Sequence, residues 1–294
     1  MKANSPSLRH ASLAGSGPAA ATAPLLRLLA LVLLALHAAS CSHIADDERL
    51  IYVKPADVAR RVLIEDFTGQ RCINCPIATL EIEKLQEQYG PDNVIAVGIH
   101  SGPLGFKGSA TLTGLATDLG DAYYSHWAIA YQPSGMVNRS GKQDYQQWSA
   151  QVRELIQQQA AADIGISCSY DDATRTAHAA ITILGTNGHT EGKLQVWAVE
   201  DSIVAMQLRY NEVDKPTSGQ LQDRNYVHNH VLRSAVNGTW GDDLSLAEGQ
   251  TVGKDYTFTA DSTWRPEKLW VVAFVYNDQG VVQAARQRVV ATAD

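Results

Sequence analysis

The period of the apolar positions changes near the middle of the chain. Val62-Leu-Ile is a short apolar run that turns polar at Glu65-Asp66, the pattern of a buried strand near its end. Between Cys75 and Tyr89, apolar Ile77, Leu80, Leu85 and Tyr89 alternate with Glu and Gln, which predicts an amphipathic helix stopped by Gly90-Pro91. Asn93 to His100 reads as a second buried strand, so strand, helix and strand form a right-handed βαβ unit with parallel strands. A Gly-rich loop from Ser101 leads to a helix over roughly Leu115 to Trp127. A short strand at Gly135 to Asn138 and a helix over Asp144 to Ala161 follow.

Beyond Ala162 the pattern shifts to period two, with Ile164, Ile166, Cys168 and Tyr170 alternating with small or polar residues. Further short strands are expected at Ala177 to Ile183, Leu194 to Val199, Val227 to Val231, Tyr256 to Phe258, Leu269 to Tyr276 and Val281 to Val290. Asn187-Gly188, Asn237-Gly238 and Asn277-Asp-Gln-Gly280 mark turns between several of them. The fold class expected is an α/β domain over residues 59–162 followed by an all-β, immunoglobulin-like sandwich over 163–294.

The N-terminus is a targeting segment. Leu25 to Leu36 is an apolar h-region, too short to span a bilayer, and it runs into Ala38-Ala39-Ser40-Cys41. Small residues ending at a cysteine resemble the lipobox of bacterial lipoproteins, which implies removal of residues 1–40 and a lipid on Cys41, with 41–58 as a tether. The acidic cluster Asp46-Asp47-Glu48 in that tether resembles the surface-export signal of Bacteroidetes lipoproteins; as an alternative it is a solvated spacer.

The whole chain carries a net charge of −7, and the leader holds only basic residues (Lys2, Arg9, Arg27), so the mature chain is more acidic still. With no basic run, nucleic acid and electrostatic docking to anionic lipid are excluded as partners, and any membrane attachment is covalent.

Four cysteines remain to be placed: Cys41, Cys72, Cys75 and Cys168. Cys168 lies on the apolar stripe of its strand and reads as a small core residue. Cys72 and Cys75 are spaced Cys-x-x-Cys where a strand gives way to a helix. Such a pair closes a small disulfide, and a sulfur at a helix N-terminus gains from the unpaired N–H groups and the macrodipole. Arg71 adds a positive charge beside it. Cys72 is therefore the candidate nucleophile and Cys75 the resolving thiol. Asp66, at the end of an apolar strand, should have a raised pKa by desolvation, which suits a proton acceptor.

In order and spacing these residues resemble thioredoxin, including an acid six positions before the first cysteine. The resemblance implies that Asp66 passes protons to and from Cys75. It also implies a cis proline facing the cysteines, matched here by Pro133, with Gln132-Pro133 offering backbone groups to an extended peptide. Arg71 in place of the usual tryptophan and Ile73-Asn74 in place of Gly-Pro depart from the family, leaving the redox direction open. Taken with the lipobox, Phe67-Thr-Gly-Gln-Arg-Cys-Ile-Asn-Cys-Pro76 and Tyr226-Val-His-Asn-His-Val-Leu-Arg233 resemble the Omp28-related outer-membrane lipoproteins. That resemblance implies an outer-membrane location and a thioredoxin-like fold.

His228 and His230, two apart, are expected on one face of a strand, hydrogen-bonding within or beside the sandwich; their spacing does not suit a structural Cys2His2 zinc site. No cofactor is expected. Two functions stay open: thiol–disulfide exchange with protein or peptide partners, or a non-enzymatic surface binding protein, such as an adhesin or assembly component, in which the cysteine pair is a static disulfide.

Overall fold

In the computed structural model the described residues are 58–291, so the leader, Cys41 and most of the tether lie outside them. The chain runs through β1 (Val62–Thr68), α1 (Cys75–Tyr89), β2 (Val94–His100), α2 (Asp118–His126), β3 (Ser134–Val137), β4 (Lys142–Gln143) and α3 (Trp148–Leu155). It continues through β5 (Ala162–Asp171), β6 (Thr176–Gly185), β7 (Thr190–Glu200), β8 (Ile203–Tyr210), β9 (Gln220–His228), β10 (Val231–Ala235) and β11 (Asp242–Leu246). The last strands are β12 (Thr251–Thr259), β13 (Leu269–Asn277) and β14 (Gly280–Arg288). The result is mostly β, with one mixed sheet and a small helical part.

All seven residues of β1 are buried, and β1 and β2 pair in parallel with Val62 opposite Val94. A strand buried on both faces needs two cores, and the alternation of its side chains supplies them. Val62, Ile64, Val94 and Ala96 pack under α1 and α3 with Ile82, Leu85, Trp148 and Val152. Leu63, Phe67, Ile95, Val97 and Ile99 face the other way, toward α2 and toward Trp197 and Phe274 of the later strands.

That second core explains why the two halves share a sheet. The nine-stranded sheet has the order β14-β13-β7-β10-β2-β1-β3-β4, with β11 also pairing β7, so its strand order crosses residue 162. The junction is narrow: β10 meets β2 at Val231 opposite Gly98, and Gly98 N donates to the His230 carbonyl over 2.8 Å. Residue 162 therefore does not divide the sheet, and the second half contributes to two layers. Five of its strands extend the first half's sheet, while β12-β6-β5 forms a separate three-stranded layer. The core between that layer and the long sheet is made by Ile164, Ile181, Ile183, Leu194, Val196, Leu244 and Val271.

α1 matches its predicted span, whereas α2 and α3 are shorter than the sequence pattern suggested. The single strand expected at Val227 to Val231 is broken, because His230 adopts φ 50° between β9 and β10. The break releases β8 and β9 from the main sheet, and they form a two-stranded antiparallel ribbon of their own.

Candidate functional site

The turn from β1 into α1 carries the two cysteines. Gly69 is required there, since a Cβ at that position would lie 2.3 Å from the Leu104 carbonyl oxygen. Gln70 is fully buried and fastens the loop on two sides. Its side-chain amide donates to the Thr113 and Met206 carbonyls at 3.0 and 2.9 Å and accepts from Leu115 N at 2.8 Å. Pro76 in the first turn favours initiation of α1, because its missing N–H has no helical partner to lose.

Cys72 and Cys75 are joined as a disulfide, with Cα atoms 5.4 Å apart. α1 begins at Cys75, not at Cys72, so Cys72 sits in the turn preceding the helix and Cys75 occupies the opening position expected for its partner. Both are sealed, with 1% and 2% of their surfaces exposed. An exposed nucleophile at the helix tip is therefore not the arrangement found.

The cover is the β8–β9 ribbon. Gln207 of β8 donates to the Cys72 carbonyl at 2.8 Å and to the Gly69 carbonyl at 3.2 Å, and Leu208 N donates to the Gln70 carbonyl at 2.8 Å. On the ribbon's outer face the cross-strand pair Val204 and Val227 is about half exposed. Arg71, exposed, places its guanidinium over the Phe106 ring at 4.8 Å.

Beneath the disulfide lies Asp66. Burial raises its pKa to about 7, and its Oδ1 finds no hydrogen-bond partner among the described residues. Asp66 and Cys75 line one cavity of about 20 Å³ together with His100, Tyr226, His228 and His230. The expectation that His228 and His230 belong to the sandwich is thus corrected: the break between β9 and β10 delivers them to the cysteine site. Burial lowers the pKa of His228 to about 4, partly opposed by hydrogen bonds with the Met206 and Ala205 backbone. His100 is held well below its ordinary value, first by burial and then by His228 and Arg233. The two rings stand edge to face, 5.2 Å between centroids. His100 was not singled out in the sequence, since a lone histidine at a strand end carries no spacing signal.

The Gln132–Pro133 bond is cis, and both residues are buried just before β3, which runs antiparallel to β1. The Gln132 side-chain amide donates to the carbonyls of Thr68 and Ser101 at 2.6 and 3.0 Å, tying together the ends of β1 and β2. Cys168, half buried, has its pKa raised to about 11 by burial, which suits a packing thiol. Trp240 lines a separate cleft of about 700 Å³ with Trp127 and Tyr276. Among the described residues no group of three or more His, Cys, Asp or Glu is arranged to hold a metal ion, and no helix is long and apolar enough to cross a membrane.

Comparison with known proteins gives the following. A family model described as "Outer membrane protein Omp28" matches residues 120–293. That stretch includes Pro133 and His228 and starts after the cysteine turn. Among solved structures, HBP35 of Porphyromonas gingivalis is similar in fold, with a TM-score of 0.57 at 16% identity, over 80% of this chain and 77% of that one. A domain of the outer membrane lipoprotein Omp28 from Porphyromonas gingivalis is 24% identical over 44% of this chain and 88% of that one, with a TM-score of 0.30. No curated protein matches the sequence.

Proposed function

This chain belongs to the Omp28 family of outer membrane proteins, and from that premise we propose that it is an envelope protein, anchored by lipid on Cys41, that exchanges thiols and disulfides with protein or peptide partners. The parallel β1–α1–β2 unit, the disulfide at its first junction and the cis Gln132–Pro133 bond support reading residues 59–162 as thioredoxin-like. The β5-β6-β12 layer packed on β7, β11 and β13 supports an immunoglobulin-like sandwich beside it.

In the exchange, a partner thiolate forms a bond to Cys72 Sγ and the Cys72–Cys75 bond breaks. The electron pair leaves on Cys75 Sγ, which takes the Asp66 proton. A second partner thiol then releases Cys72, so the partner leaves as a disulfide and the two cysteines as thiols. Because the sulfurs are covered, the β8–β9 ribbon must lift before a partner reaches Cys72. A two-stranded ribbon is only marginally stable alone, which suits an element that opens.

One observation carries this reading: a buried Asp66 carboxyl, one oxygen of which has no partner among the described residues, lines the same cavity as Cys75. Burying a polar group unpaired is costly, and a disulfide that serves only as a brace has no use for it. The test is alkylation of the reduced protein across pH. Cys72 should react well below pH 8.5, the reference value for a free thiol, and a Cys75→Ala variant should trap mixed disulfides in envelope extracts. Ordinary titration of both thiols with no trapped partner would exclude the activity.

The near-complete burial of both sulfurs favours a second reading, in which the pair is a permanent brace in a surface or outer-membrane binding protein. On that reading the same alkylation gives ordinary thiols, and the ribbon never lifts.

A further inference from the structure

The cavity under the disulfide gathers more unpaired polar atoms than a packing defect should. Asp66 Oδ1, His100 Nδ1, His228 Nε2 and His230 Nε2 are all buried without a hydrogen-bond partner among the described residues, and all four residues line that space of about 20 Å³. Three of the residues, Asp66, His100 and His228, are at most 5% exposed. A polar cavity of that size accommodates one water, which needs two to four polar partners to be stable. These residues come from different parts of the chain: Asp66 from β1, His100 from β2, His228 from the end of β9.

We propose that this cavity is a single-water site held by Asp66, His228 and His100, and that the two histidines are positioning residues for Asp66. The inference rests on the exchange reading given above. Backbone groups of Met206 and Ala205 hold the His228 imidazole, and its buried Nε2 is left without a partner among the described residues. A water there hydrogen-bonds the carboxyl and sets its proton affinity, and the proton that Asp66 gives to Cys75 is restored from solvent when the ribbon lifts. The second half of the chain thereby takes part in the chemistry of the first.

The other charged or titratable groups around the cluster are known. Arg233 acts on His100, Asp223 on His228, and Asp201 and Arg286 on His230, while Tyr226 feels Glu83, Asp66 and Arg209. Of these, Tyr226 also lines the cavity and registers Asp66, so Tyr226→Phe is the control against which His228→Leu is read.

The test follows reduction of the Cys72–Cys75 disulfide by dithiothreitol in the intact protein, with rates divided by the concentration of reductant thiolate. In the parent protein the normalised rate falls as pH rises through the Asp66 titration, because only the protonated carboxyl can supply Cys75. His228→Leu should move that fall to higher pH by about one unit, a tenfold change in proton affinity. His228→Gln, which retains an acceptor, should restore most of it. Asp66→Asn should abolish the fall. An unmoved midpoint in His228→Leu, with the fall still absent in Asp66→Asn, overturns the water site while leaving the exchange reading intact. A disulfide that dithiothreitol reduces only when the protein unfolds overturns both. Should His228→Leu not fold, the carbonyl stretch of the protonated Asp66 in the oxidised parent protein decides. A hydrogen-bonded frequency supports the water, and the frequency of a free acid excludes it.

Discussion

Glu65 and Asp66 are consecutive residues on one buried strand, yet they are treated in opposite ways. Glu65 faces the core shared with the later strands, where Arg139 forks onto both of its oxygens at 2.9 Å and stacks 4.2 Å from the Tyr276 ring centroid. Asp66 faces α1 and has an oxygen with no partner among the described residues. A carboxylate buried for architecture is paired, because leaving it bare costs several kcal/mol. A carboxylate buried bare is therefore evidence that its neutral form, and the proton on it, matter. The difference between these neighbours separates scaffold from chemistry.

Breaking the paired side should have the larger effect. Arg139→Met leaves Glu65 charged and alone, and should destabilise the fold by about 3–5 kcal/mol in urea unfolding. Altering the unpaired side should change the pH dependence of stability instead. Asp66 binds its proton more tightly folded than unfolded, so its contribution is full below about pH 4 and is lost as pH rises to about 7. The buried histidines act in the opposite sense, since their lowered pKa values make the folded state bind fewer protons than the unfolded chain below pH 6.5. The difference between parent and Asp66→Asn isolates the carboxyl. It should shift by about 4 kcal/mol between pH 4 and pH 8 in favour of the variant at high pH, and a flat difference would contradict the burial argument.

Smaller effects sharpen the role of the cover. Gln207→Ala removes two hydrogen bonds from ribbon to cysteine turn and should cost about 1 kcal/mol, while accelerating reduction of the disulfide by a small reductant several-fold. An unchanged reduction rate would show that the ribbon does not limit access. Arg71→Ala should cost less than about 1 kcal/mol, the worth of an exposed cation–π contact, and should leave the disulfide's reduction rate nearly unchanged.

Much of the first half was legible in the sequence. Period and punctuation located β1, α1 and β2, and the sequence singled out Asp66 and Cys75, which line one cavity, and the proline whose bond to Gln132 is cis. What the pattern did not carry was pairing between distant segments. Ile203 to Tyr210 was not read as a strand, and the single strand expected at Val227 to Val231 hid the left-handed residue His230 that frees the ribbon. Without the ribbon, the burial of Cys72 was invisible, and without the break, His228 was assigned to the sandwich. The shared sheet was missed for the same reason, since the join of β10 to β2 rests on one backbone contact at Gly98.

The most direct measurement is redox equilibration of the folded protein against a graded glutathione couple, followed by mass spectrometry of Cys72 and Cys75. The account predicts that the pair interconverts with the couple while the protein remains folded. A pair that stays oxidised at every poise until the chain is unfolded would contradict it and leave the disulfide as a brace.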